Sequence, residues 1–252
     1  MKIVKYKKVQ NSRYKIYLEN GEELTFYEDV ILKYHLLIRK HVSDKLIEEM
    51  NKSNRYFEVY YVGLRYIRTR FRSAYDIRTL LIKQGYEPEY VDIVIEKLIK
   101  QGYINDSLYA KSFINNRIVT TNYGPKKIKN ELIQHGVDTE IIDKAMIDFD
   151  DSIQLEKIEK MAHRSYRSNK SRGGEVLKRK ITTDLVNLGY SIELIDIVID
   201  KLDYTPNDEI AKKEYEKLYK KLSRKYKGEE LERKIKEKLY LKGLKYEIRE
   251  EE

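Results

Sequence analysis

In the stretch YYVGLRYIRTRFR, Tyr61, Arg65, Arg68 and Arg72 recur at the spacing that stacks side chains on one face of a helix. Guanidinium forks bind phosphate or carboxylate bidentately, and a tyrosine ring adds a stacking plane. This face, with Arg70 beside it, is therefore a candidate contact surface for a polyanion, the plain alternative being a solvated basic face. A neighbouring stripe, Tyr60, Leu64, Ile67 and Phe71, is expected to be core. Further basic residues cluster later in the chain: Arg117, Lys126, Lys127 and Lys129, then Arg164, Arg167, Lys170, Arg172, Lys178, Arg179 and Lys180. Lys127, Lys180 and Lys234 share one offset before a recurring glycine, where the first copy has Asp76. The clusters are accordingly expected to line up as a positive stripe.

The acidic candidates are fewer. KQGYINDSLYAKSF, residues 100–113, sets Asn105 and Asp106 beside tyrosines after Gly102, as a polar active site or a helix joint would. DFDDS, residues 148–152, is the best place for a nuclease built on dispersed carboxylates. Both stretches lie where one helix ends and the next begins, and a capping Asn or Asp contributes typically ~1 kcal/mol there, so capping is the expected role. The four histidines, His35, His41, His135 and His163, lack H-x-x-x-H spacing, and the chain has no cysteine, which removes thiolate metal sites and thiol nucleophiles. Phosphate-loop, dinucleotide, serine-hydrolase and zincin signatures are also missing. No catalytic residue, metal or cofactor is expected.

What must hold these side chains in place is a repeat. Gly85, Gly136, Gly189 and Gly243 stand roughly fifty residues apart. Eight residues before each is an isoleucine (Ile77, Ile128, Ile181, Ile235) and four before each a leucine (Leu81, Leu132, Leu185, Leu239). Such a pair running up to a glycine is the inner face of a helix closed by a left-handed cap. A second apolar register follows the glycine: Val91, Ile142 and Ile195, then Ile95, Met146 and Ile199, then Leu98, Phe149 and Leu202. With a further helix before each glycine-capped one, the unit is a three-helix repeat, too small to bury its apolar faces alone.

The N-terminal KIVKYKKV, RYKIYL and ELTFY read as short strands with a turn at ENGEE, followed by helix from about Asp29 to Met50. The expected fold is mainly α, with tandem three-helix repeats forming a curved solenoid behind a small N-terminal sheet and helix. The expected divisions are 1–56 for the strands and helix, 57–104, 105–151 and 152–205 for three repeats, and 206–252 for a partial capping repeat. A net charge of +9 over 252 residues favours polyanionic partners. The N-terminus lacks the apolar run of a signal peptide, and no segment approaches a membrane span, so a cytoplasmic protein is expected.

Three stretches together, LRYIRTRFRSAYDIRTLLIKQGY, GYINDSLYAKSF and NYGPKKIKNELIQHGV, resemble the RecX family of bacterial RecA modulators over about residues 60–150. The resemblance is carried by Arg72, Ser73, Gly85, Gly102 to Ile104, Asp106, Tyr109, Ala110, Arg117, Gly124, Pro125, Ile128, Leu132 and Gly136. The chain departs from the family in placing Asn105 where an acid is more usual, and it is longer than a minimal three-repeat member. The resemblance implies a monomeric helical-repeat protein without catalytic activity or small-molecule substrate. Its implied partner is the RecA filament on single-stranded DNA, with duplex DNA a further ligand, and its implied effect is inhibition of RecA recombinase and coprotease functions in recombination, repair and the SOS response. A helical-repeat protein that binds DNA without RecA is the alternative.

Overall fold

The computed structural model describes residues 1–10, 12–169, 171–204 and 208–245. Lys170 and the expected division at 205/206 lie outside them. Alternating apolar and polar residues produce three antiparallel strands in sequence order, β1 (Ile3–Val9), β2 (Arg13–Leu18) and β3 (Glu23–Tyr27). Gly21, at φ +85°, turns β2 into β3, a conformation that carries a steric penalty for any side chain with a Cβ. Ile3, Ile16, Leu18 and Phe26 pack with Val30, Ile31, Leu36 and Met50 in one apolar core. The last four of these core positions come from or lie near α1 (Glu28–Lys33) and the first part of α2 (Asp44–Thr69).

Helix α2 is 26 residues long and runs without a break from this sheet into the helices that follow. Its fully buried positions are Met50, Val59 and Gly63, with Tyr60, Leu64 and Ile67 partly buried beside them. Phe71 corrects the expected core stripe, being 49% exposed. The helix stops at Thr69 because Ser73 immediately caps the next one, accepting the Asp76 N–H at 3.0 Å.

The remaining helices are α3 (Ala74–Lys83), α4 (Pro88–Lys100), α5 (Asp106–Thr120), α6 (Pro125–Gln134), α7 (Thr139–Met146), α8 (Asp151–Ser168), α9 (Gly174–Asn187), α10 (Ile192–Ile199), α11 (Asp208–Leu222) and α12 (Gly228–Tyr240). The protein is mainly α with a small antiparallel sheet, as expected. Ile77, Ile128, Ile181 and Ile235 are all buried, as are Leu81, Leu132, Leu185 and Leu239. The four glycines that follow them have φ of +90°, +67°, +96° and +71°. Pro125 opens α6, where its missing N–H leaves no bond unmade. Among the described residues, no helix is long and apolar enough to cross a membrane.

The chain forms two compact units, Met1–Ala110 with Ile133–Ile141, and Lys111–Leu132 with Ile142–Glu252. In both, the loop after a glycine-capped helix seats on the start of an earlier one. In the first unit the Ser73 hydroxyl donates to the His135 carbonyl at 2.6 Å, and a Cβ on Gly136 would collide with the Tyr75 side chain. In the second, the Gly124 N–H donates to Leu188 O at 2.7 Å and the Lys126 N–H to Gly189 O at 3.1 Å. The Tyr190 hydroxyl reaches Asn122 O and Tyr123 O at 3.3 and 3.4 Å, and burial pushes its pKa up to about 12. The same unit repeats the joint where the Gly173 N–H donates to Lys242 O at 3.0 Å beside Gly243.

Candidate partner interface

The polar residues that invited a chemical reading are joint residues. Asn105 Oδ1 accepts the Leu108 N–H at 2.9 Å and so caps α5. Asp106, which could have been the cap, instead accepts the Ala74 N–H at 2.9 Å, holding the start of α3. Tyr109 lies 6.3 Å from the Phe71 ring and 6.0 Å edge-on from His135, whose Nδ1 is 3.1 Å from Asp76. Asp150 of the DFDDS stretch caps α8, accepting the Ile153 N–H at 2.9 Å. Among the described residues, no cluster of three or more His, Asp or Glu is placed to hold a metal.

Asp106 has a measurable signature. Burial, helped by the nearby Asp76 charge and opposed by the Ala74 hydrogen bond, raises its pKa. The folded state therefore keeps this proton to higher pH than the unfolded chain. The group's contribution is present below the unfolded pKa and lost as pH rises through the folded one. Asp106→Asn keeps an acceptor for Ala74 and should flatten the loss of stability just above the usual carboxylate range, whereas Asp106→Ala should cost about 1 kcal/mol. Urea melts between pH 4 and 7 decide it; parallel slopes for wild type and Asp106→Asn would remove Asp106 as the source.

The basic candidates divide by what they already touch. The Tyr61 hydroxyl donates to Asp29 at 2.6 Å and its ring stacks on Tyr27 at 4.9 Å, so this tyrosine is engaged inside the first unit. Burial and Asp29 push its pKa up. Arg72 lies partly covered, its guanidinium 5.8 Å from the Tyr66 ring and its Nε buried without a hydrogen-bond partner. Arg65, Arg68 and Arg70 are exposed and form no ion pair among the described residues.

In the second unit Arg117 sits 2.8 Å from Glu131, although the angle is too poor for a hydrogen bond, and 4.7 Å from the Phe113 ring. Lys129 pairs with Asp143 at 2.6 Å, Lys178 with Asp200 at 2.9 Å, and Lys127 lies 4.0 Å over the Tyr123 ring. The shared lysine offset is thus occupied locally in every copy that has it, since Lys180 pairs with Asp184 and Lys234 with Glu237. Lys126, Arg164, Arg167, Arg172 and Arg179 are exposed and unpaired among the described residues. Arg164 and Arg167 line one shallow groove along α8, mixed with Glu156 and Glu159.

Arg172 and Arg179 line a second groove with two residues that had not stood out in the sequence, Tyr240 and Lys245. The signal was available: Tyr240 stands three residues before Gly243, where the earlier copies have the aliphatic Ile82, Ile133 and Val186.

Residues 105–146 match the family model described as RecX, second three-helix domain. The chain is 31% identical over 239 residues to the regulatory protein RecX of Listeria innocua, covering 93% of this chain and 88% of that one. Among solved structures, it is similar to a crystal structure of regulatory protein RecX, with a TM-score of 0.72 and 26% identity over 79% of this chain and 99% of the other. It is also similar to RecX from Lactobacillus salivarius, with a TM-score of 0.57 and 28% identity, covering 60% of this chain and 97% of that one.

Proposed function

Because the chain belongs to the RecX family of regulatory proteins, we propose that it binds the RecA–DNA filament and inhibits RecA's recombinase and coprotease activities. The observation that carries this reading is the extent of the likeness to RecX proteins, which runs through 93% of the chain, with the family-model match over residues 105–146 spanning the joint positions Asp106 and Gly136. In this reading the protein works as a cytoplasmic monomer, without cofactor or catalysis. The acidic stretches support a non-enzymatic role, since Asn105, Asp106 and Asp150 are engaged with backbone N–H groups.

The contact surface favoured in the first unit is Arg65, Arg68 and Arg70, three cations at the end of α2 with no ion pair among the described residues. Changing all three to alanine should weaken filament binding and leave the circular dichroism spectrum unchanged, because Val59 and Gly63 carry the buried side of that helix. If they meet DNA phosphates, each lost contact should flatten the log affinity against log salt slope by roughly 0.7–0.9. If they meet acidic RecA residues, affinity for bare DNA should stay as it was. The test is a salt titration of both proteins on single-stranded DNA and on RecA-coated DNA. Wild-type binding by the folded triple variant to both ligands would clear α2 of any contact role, and binding to bare DNA alone would favour a direct DNA binder.

A further inference from the structure

The three joints share one construction. In each, the residue just before a helix (Ser73 before α3, Gly124 before α6, Gly173 before α9) is buried against the loop of a later glycine-capped helix. The acceptor is always the carbonyl preceding the glycine. His135 O takes the Ser73 hydroxyl, Leu188 O the Gly124 N–H and Lys242 O the Gly173 N–H, at 2.6, 2.7 and 3.0 Å. A joint thus has two halves, a helix start and a glycine loop, and one half of each kind is left over. The Gly85 loop closes α3 with bonds of the usual pattern, Gly85 N–H to Ile82 O and Tyr86 N–H to Leu81 O. Yet a Cβ on Gly85 would meet nothing within 4 Å, and Gln84 O, the equivalent acceptor, takes no hydrogen bond among the described residues. The other half is the start of α12. It is built like that of α9: an extended residue without a side-chain cap (Lys227, Gly173) precedes a glycine at positive φ (Gly228 at +57°, Gly174 at +52°). At α9 this start holds the Gly243 loop, whereas at α12 Lys227 and Gly228 are exposed and a Cβ on Gly228 would meet nothing within 4 Å.

A helix start that only faces water is better closed by Ser, Thr, Asp or Asn than by lysine and a left-handed glycine. The charges of the two unused halves also match. Lys83, two residues before Gly85, is exposed, and Glu229 and Glu230 are exposed in the first turn of α12; none of the three has an ion pair among the described residues. The first joint already sets His135 against Asp76 at 3.1 Å, and Asp76 and Glu230 stand at the same place, three residues after the one that precedes their helix. The occupant that fits the α12 start is therefore the Gly85 loop of a second copy of this chain. Such a contact uses a different patch on each partner, the heterologous kind, and continues between chains the stacking by which repeats bury their faces.

We infer that chains join head to tail, the Gly85 loop of one copy seating on the start of α12 in another, with Gln84 O accepting the Lys227 N–H. One joint is far smaller than the ~1,600 Å2 of a stable interface, so the dilute chain stays a monomer. Copies lined along one filament meet the contact at high local concentration and bind there cooperatively. That consequence rests on the filament reading above; the contact itself does not, so its assay contains neither RecA nor DNA. The chain has no cysteine, which makes cross-linking clean. Full-length Gln84→Cys and Lys227→Cys chains are mixed at about 1 mM, the effective concentration of closely held neighbours, and treated with a short bismaleimide. The mixture should yield a covalent dimer whose linked peptides join positions 84 and 227, well above the yield of either variant alone. Adding Lys83→Glu to the first chain should lower that yield about 1.5- to 5-fold, and Glu230→Lys in the second should restore it. Circular dichroism checks folding, which the exposure of all four positions protects. A mixture that yields no more dimer than the single variants would overturn the contact. So would dimers linked mainly 84 to 84 or 227 to 227, or a yield indifferent to both charge reversals.

Discussion

Replacing Gly189 by alanine is expected to destabilise the protein by at least about 3 kcal/mol, while the same change at Gly85 costs about 1–2 kcal/mol. Both residues have left-handed backbone, at φ +96° and +90°, and both would carry the Cβ penalty of that region. They differ in surroundings. A Cβ on Gly189 would stand 2.7 Å from the Lys127 backbone nitrogen, whereas around Gly85 there is nothing within 4 Å. Gly124 isolates the other half of the effect. It is not at positive φ, yet a Cβ there would lie 2.5 Å from the Gly189 carbonyl carbon. Gly124→Ala should thus cost about 1–3 kcal/mol through overpacking alone. Urea denaturation of the three variants separates backbone conformation from close approach. Equal losses at Gly85 and Gly189 would mean that the joint does not depend on contact between the two loops.

The second large effect is expected in the helix that the joint holds. Leu132 on α6 is fully buried, and truncation to alanine should cost about 2–5 kcal/mol, the higher figure applying if the surrounding side chains cannot close over the space. Phe71→Ala makes a useful comparison, because the ring is larger but 49% exposed, with the Tyr109 ring 6.3 Å away. It should cost less than Leu132→Ala despite removing more atoms. A loss below about 0.5 kcal/mol for Leu132→Ala would contradict its place in the core.

The isoleucine, leucine and glycine register was legible because each position answers to a local rule: helical periodicity for the aliphatics, left-handed backbone for the glycines. The strands were legible for the same reason. Helix α2 was less so, since its 26 residues begin against a sheet and end against other helices, and the change of neighbour is invisible in local pattern. Phe71 looked like a core residue by spacing alone, but the helix had already ended two residues earlier.

The basic residues were the hardest to read. Arg78–Asp92 and Lys129–Asp143 are ion pairs between consecutive helices, each separated by 14 residues and centred on Gly85 or Gly136. A cation is indistinguishable from its free neighbours until that pairing is known. Arg117 and Lys127 were therefore grouped with Arg172 and Arg179, although the first two already have local contacts. Lys157 shows the same limit: it donates to Ile118 O and Thr121 O at 2.6 and 3.0 Å, acting as a clasp on the end of α5.

The joints also set an order for synthesis. Ser73 waits for His135, 62 residues later, and Asn122 for Tyr190, 68 residues later. A chain emerging from the ribosome therefore carries an unfinished helix start for most of its translation, closing one such loop only as it exposes the next. Each closure has nearly the same length and hence nearly the same entropic cost, which grows only logarithmically with loop size. The nascent chain meets its folding problem as a series of similar medium-range steps, so a ribosome stalled within α9 leaves the Gly124 start open to solvent and to chaperones.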